Sequence, residues 1–166
     1  MTERCKAEYE REAGAEDAVD IQLRDYRQLH GRYDAIVSIE MFEAVGEEYW
    51  PVFFAECDRL LQPGSAIGLQ TITMPHERML ATRRTYTWIN KYIFPGGFLP
   101  STEVMDRITR DETSLRLTGR TVFGTHYAET LRQWDEQFLA ASDQVLALGF
   151  DETFLRMWHF YLEYSR

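Results

Sequence analysis

The chain has 166 residues, with 27 acidic against 18 basic side chains and a net charge of −9. That length fits one domain with a real core, and the acidity argues against a nucleic-acid binder, whose footprint is basic. It also argues against tight docking on anionic lipid unless the basic residues cluster on one face, while 45% hydrophobic and 14% aromatic residues exclude a disordered or low-complexity chain.

Residues 3–13 are charged and helix-favouring, which predicts an exposed helix stopping near Gly14. Residues 19–24 alternate apolar and polar, the pattern of a half-buried strand, with Asp25, Tyr26 and Arg27 at its carboxyl end. Residues 35–39 are short, β-branched and nearly all apolar, which predicts a strand buried on both faces, as in a parallel sheet. Glu40 and Glu43 follow directly. They read either as solvated loop charges or as site residues, since open α/β sheets build their sites at the carboxyl ends of strands.

From Glu47 the period changes. Trp50, Phe53, Phe54, Cys57, Leu60 and Leu61 form one apolar stripe on a helix, with Glu47 and Glu48 in its first turn and Pro51 tolerated that early. Pro63 and Gly64 should end it. Residues 66–73 then predict a second strand, so strand, helix and strand make a right-handed βαβ crossover. Residues 79–94 predict a helix rich in arginine and aromatics, running into a sharp apolar turn. Ser101 reads as the N-cap of another short helix. Residues 115–124 alternate enough for a strand. Tyr127, Leu131, Trp134, Phe138 and Val145 lie along a long amphipathic helix ending near Gly149, and a last helix starts at Asp151. With no repeats and no linker, residues 1–166 read as one domain, with residues 75–112 as a helical cap or insertion.

Cys5 and Cys57 have neither metal spacing nor a disulfide framework, which suits a reduced, cytosolic protein. No apolar run approaches the ~20 residues that span a bilayer, and no signal-peptide core is present. His30, His76, His126 and His159 lack ligand spacing, so no metal site is expected. Gly-x-Ser-x-Gly and Gly-x-Gly are both absent, so the chain holds neither a nucleophile elbow nor a glycine-rich phosphate loop. Tyr86, Trp88, Tyr92, Phe94 and Phe98 could be ordinary core, or faces that hold a cationic group at ~0.5–2 kcal/mol each.

Five blocks of the chain resemble the cyclopropane-fatty-acyl-phospholipid synthase family, in the family's order. They are YDAIVSIEMFEAVG (33–46), LQTI (69–72), INKYIFPGGFLPS (89–101), HYAETLRQW (126–134) and FLRMWHFYL (154–162). The third is the most diagnostic. The resemblance implies an α/β fold, a Rossmann-like class I methyltransferase sheet with a helical cap. It implies S-adenosylmethionine-dependent methyl transfer to the cis double bond of an unsaturated phospholipid acyl chain. The intermediate carbocation loses a proton to a bound bicarbonate and closes a cyclopropane.

By motif, Glu43 and Tyr127 match bicarbonate holders and Ile72 a backbone contact to it. Gln70 stands where many members have histidine. Glutamine donates and accepts but does not titrate, and related proteins stop at methyl-branched products, so both products stay open. Tyr26, Arg27 and Ile39 match the adenosine pocket. The implied partners are phospholipid acyl chains at the membrane surface, met from the cytoplasmic side; oligomeric state is left open. Members also carry a glycine-rich cofactor loop and a ribose-binding acid before the point where this chain starts, and a strand after Ser165. The expectation is therefore an incomplete sheet, a fragment inactive on its own. A non-catalytic lipid- or partner-binding remnant and a small-molecule N-methyltransferase are the alternatives.

Overall fold

The computed structural model describes residues 20–166; the helix expected over residues 3–13 lies outside them. Two parallel strands carry the fold. β1 (Tyr33–Ile39) pairs with β2 (Leu61–Gln70) in a register running from Ala35 opposite Ala66 to Ile39 opposite Gln70, with an irregularity between Tyr33 and Ala35. Between them lies α1 (Trp50–Leu60), entered through a 3-10 turn, Glu47–Tyr49, with Pro51 in its first turn. The apolar stripe read from the sequence is buried: Trp50, Phe53, Phe54, Cys57 and Leu60 all face inward. Burying such side chains stabilises by about 1.5–3 kcal/mol each.

The core gathers around that stripe. Phe42, Met79, Val104 and Ile108 join α1, and Ile36, Ile67 and Leu69 supply the sheet's inner face. Trp50 is stacked between Phe42 and Phe98, with ring centroids 5.5 and 5.7 Å away. Ser101 caps α4 (Thr102–Glu112) by accepting the Val104 N–H, as expected, and α4 lies along α1. The C-terminal half is a second layer. α5 (Gly124–Ala140) packs on α7 (Glu152–Ser165), joined by α6 (Ser142–Ala147). A hydrogen bond of 2.7 Å joins His159 Nδ1 to the buried Asp135 across that pair.

Several expectations are corrected. β1 is covered on one face only, and there its residues are half-buried, while Val37 and Ile39 are 71% and 60% exposed. Paired residues point to the same side of a sheet, so Val37 and Ile39 share their open face with Gly68 and Gln70. Residues 20–24 form no strand, and Leu23 is 84% exposed. Residues 115–123 form none either. Leu115 alone touches the core, and Val122 projects outward because no neighbouring strand offers it a ladder.

β2 starts at Leu61 and ends at Gln70, so Pro63 and Gly64 lie inside it, with Gly64 at φ +84°, rather than closing α1. The helix expected over residues 79–94 is two short ones, α2 (His76–Thr82) and α3 (Trp88–Tyr92). Thr87 and Asn90 form a capping box that starts α3 afresh. The long helix likewise breaks at Ala141, between α5 and α6.

Candidate active site

The carboxyl ends of both strands converge on two carboxylates. Directly after β1, Glu40 takes φ +54°, a left-handed conformation uncommon for a residue with a side chain. Two contacts from β2 hold it there. The Glu40 N–H donates to the Gln70 carbonyl at 3.0 Å, and Gln70 Nε2 donates to Glu40 Oε1 at 3.0 Å. This turn swings the chain into the 3-10 turn Phe42–Ala44. Phe42 is fully buried and packs edge-on against Phe53 at 5.0 Å. The anchored ring fixes Glu43, next to it in the turn.

Glu43 has two unlike carboxylate oxygens. Oε1 accepts the Ile72 backbone N–H at 2.5 Å. Oε2 is buried and has no hydrogen-bond partner among the described residues. Orphaned buried carboxylate oxygens are costly, so this atom calls for a donor. The Glu43 backbone is held as well, because the Phe98 N–H donates to its carbonyl at 3.0 Å. That contact brings the apolar turn of residues 93–98 against the strand end. Gly96 sits at φ +80°, and a Cβ on Gly97 would lie 3.3 Å from the Phe94 carbonyl oxygen and 3.8 Å from that of Glu43. Glycine is required there by backbone shape and close approach. Asn90 Nδ2 ties the same turn to α3 by donating to the Gly97 carbonyl at 2.7 Å.

Two tyrosines close the cluster from the second layer. Tyr127, in the first turn of α5, is raised above its usual pKa by burial and then by the nearby charges of Glu40 and Glu43. Tyr161, on α7, is raised by burial and then by Tyr127 and Glu40. Each remains a neutral phenol, able to donate. The ring of Phe94 meets Tyr161 edge-on at 5.8 Å. Sequence reasoning singled out Glu43, Gln70, Ile72 and Tyr127; the first three lie at one sheet edge, where Glu43 bonds Ile72 and Gln70 bonds Glu40, and Tyr127 on α5 is near enough to feel the Glu40 and Glu43 charges. It missed Glu40's direct bond to Gln70, and Tyr161, which sits in a helical apolar stripe and reads as core. A phenol beside a carboxylate from another layer leaves no trace in local spacing.

Of the three residues matched to an adenosine pocket, Ile39 directly precedes Glu40 and pairs with Gln70, while Tyr26 and Arg27 lie on a separate 3-10 turn, Tyr26–Gln28. Tyr26 packs edge-on against Phe53 at 5.8 Å. Arg27 is engaged by Asp25 through both carboxylate oxygens, at 3.0 and 2.6 Å, and lies over the Tyr49 ring. That pairing holds the Asp25 carboxyl down at about 2. Ile39 is on the open sheet face. Of the aromatics with two readings, Phe98 packs against the core, whereas Trp88 and Tyr92 lie outside it, their rings meeting at a tilt of 46°. A shallow cleft beside α1 and α4, lined by Glu47, Trp50, Arg83, Val104 and Arg107, shares no residue with the Glu43 cluster. Residues 83–98, expected to cap the sheet edge and line an apolar acyl channel, contribute only Arg83 to this cleft.

Among the described residues, no helix is long and apolar enough to cross a membrane, and no group of acidic, histidine and cysteine side chains could hold a metal.

Comparison with known proteins bears on this arrangement. The family described as mycolic acid cyclopropane synthetase matches residues 2–166. A tuberculostearic acid methyltransferase of Mycobacterium tuberculosis is 54% identical over 153 residues, 92% of this chain and 36% of that protein. A cyclopropane-fatty-acyl-phospholipid synthase of Escherichia coli is 40% identical over 144 residues, 87% of this chain and again 36% of the relative. The chain thus spans little more than a third of the length of these curated relatives. Among solved structures, the mycolic acid cyclopropane synthase CmaA1, complexed with SAH and CTAB, superposes with a TM-score of 0.74 at 26% identity. The match covers 95% of this chain and 61% of that one.

Proposed function

The chain belongs to the mycolic acid cyclopropane synthetase family, and from that premise we propose that it carries the lipid-reacting part of an S-adenosylmethionine-dependent methyltransferase. Its fold is that of the class I methyltransferases among its structural neighbours. The substrate in this reading is the cis double bond of an unsaturated phospholipid acyl chain, and the product a cyclopropane or methyl-branched chain.

The observation that carries the reading is the Glu43 carboxylate. One oxygen is satisfied by Ile72, and the other is buried and waits for a donor. An anion with its own O–H fits that atom, and bicarbonate is such an anion. Glu43 would accept a hydrogen bond from its O–H, Tyr127 would donate one to it, and the backbone at Ile72 would border it. Bicarbonate would supply a base for the proton lost after methyl transfer. Gln70 keeps Glu40 turned toward the site and contributes no titrating group. S-adenosylmethionine would supply the electrophilic methyl group. Ile39 offers an apolar face at the strand end, with Tyr26 and Arg27 bordering the adenosine.

The test follows a labelled methyl group. Cells producing the protein are given methyl-labelled methionine, and lipid and water-soluble fractions are separated. Label in acyl chains one methylene heavier, lost in Glu43→Gln, supports the reading. Label in a small amine, dependent on this protein, would instead establish an N-methyltransferase. No dependent label in either fraction would leave a non-catalytic binder.

A further inference from the structure

Asp135 is the one charged residue buried among the described residues, at 6% exposure. Its partner is His159, whose Nδ1 lies 2.7 Å from Asp135 Oδ1. An ionised carboxylate only accepts, so Nδ1 carries the proton and donates the hydrogen bond. The charged side chains nearby are committed elsewhere: Arg132 pairs with Glu129 and Glu136 on α5, and Arg166 with Glu163 on α7. A carboxylate withdrawn from water is costly unless paired, so the two helices fit best where Asp135 and His159 meet.

The rest of the contact between α5 and α7 lacks that direction. Leu131 on α5 is buried, as are Leu155 and Leu162 on α7. Phe138 meets Phe154 and Trp158 at ring-centroid distances of 6.3 and 6.4 Å. Apolar burial is non-directional, and such surfaces are satisfied in more than one register. The site tyrosines share these helices. Tyr127, Leu131 and Asp135 recur at every fourth residue on one face of α5, and Tyr161 follows His159 by two residues. A slip of one helical turn would carry Tyr161 about 5.4 Å along α7, away from the Phe94 ring that it meets edge-on at 5.8 Å.

We propose that the Asp135–His159 hydrogen bond fixes the register of α7 on α5, making both of them positioning residues that hold Tyr161 beside Tyr127 and Glu40. This role rests on the reading of the Glu43 cluster as the reacting site and adds two residues outside it. A single buried polar pair selects one register among several that bury the same apolar surface. Tyr161 reports on the result, because burial and then the nearby Tyr127 and Glu40 raise its pKa.

Tyrosinate absorbance of the intact chain, read after pH jumps and before alkaline unfolding sets in, tests the pair. Each protein is compared with its own Tyr161→Phe version, so the difference isolates one phenol. In wild type that phenol should ionise above the ordinary tyrosine value of ~10. Asp135→Leu with His159→Leu removes the directed contact and orphans no charge. Its Tyr161 should ionise nearer the ordinary value, with helix content by circular dichroism unchanged. Asp135→Asn with His159→Phe nearly keeps both volumes without the carboxylate–imidazole bond and should shift the same way. His159→Asn, whose amide N–H stands where Nδ1 stood, should titrate like wild type.

A wild-type Tyr161 titration in either folded double variant would overturn the proposal, because a merely structural contact lowers stability without moving that phenol. So would a His159→Asn protein displaced as far as the double variants. Methyl transfer into lipid separates this role from the site itself. Methylation lost in Glu43→Gln, with Tyr161 unmoved in the double variants, removes the positioning pair and leaves the site. A shifted Tyr161 in a protein that methylates no lipid does the reverse.

Discussion

At the scale of residues, the chemistry of the site turns on which groups carry protons. Burial and the Glu40 and Glu43 charges raise Tyr127, so its hydroxyl stays protonated beyond the ordinary tyrosine value of ~10. The alkaline fall of the pH–rate profile, where Tyr127 sets it, should therefore lie above that value and move down in Glu40→Gln. An unmoved limb would separate Glu40 from Tyr127. Gln70 adds no titration of its own, so Gln70→His should introduce an acid limb near ~6.5, the ordinary histidine value. A profile identical to wild type would mean residue 70 does not face the reacting groups. Cys57 is buried against α1's partners and pushed up to about 12 by desolvation. In a Cys5→Ser background it should ignore thiol reagents at neutral pH until the chain is unfolded, and rapid labelling of native protein would contradict that burial.

At the scale of elements, Ser101 binds two segments together. Its fully buried hydroxyl caps α4 and meets His76 Nδ1 at 2.7 Å, while Met74 N–H reaches the Pro100 carbonyl at 3.0 Å. This clasp holds the stretch after β2, which carries Ile72, against the turn that touches Glu43. Ser101→Ala removes a cap and orphans a buried donor, so it should cost about 2 kcal/mol in urea unfolding; a change below ~0.5 kcal/mol would show the clasp to be slack. The cap itself was legible in the sequence, as were β1, the α1 stripe and α7, because each depends on near neighbours in the chain. The strand expected over residues 115–124 was not, since alternation makes a strand only where another strand is in reach. The break at residues 83–87 was also hidden, because the Thr87–Asn90 capping box competes with a continuous helix. One-sided burial of β1 cannot be read from its own residues at all. Of the candidate site, Glu43, Gln70, Ile72 and Tyr127 are proposed from motif resemblance rather than spacing, and Tyr161 joins them only through the folded second layer.

At the scale of the whole molecule, the site and the cofactor pocket are unequally furnished. The 166 residues contain no Gly-x-Gly loop, and only Tyr26, Arg27 and Ile39 are matched to the adenosine end. The chain taken alone should therefore hold S-adenosylmethionine more weakly than about 100 µM. Calorimetric titration showing saturable binding below that limit would mean these residues suffice. The acceptor side is better defined, and the central claim is that the open oxygen of Glu43 accepts a hydrogen bond from an anion that serves as the base in lipid methylation. It is tested most directly by the rate at which protein isolated from its producing cells moves labelled methyl from S-adenosylmethionine into lipid, with bicarbonate stripped and then restored. Wild type should slow on stripping and recover on addition. Glu43→Gln should be about tenfold to a hundredfold slower, matching a lost charge-assisted contact of ~1.5–3 kcal/mol, and indifferent to bicarbonate. A wild-type rate unaffected by bicarbonate, or a Glu43→Gln rate equal to wild type, would contradict it.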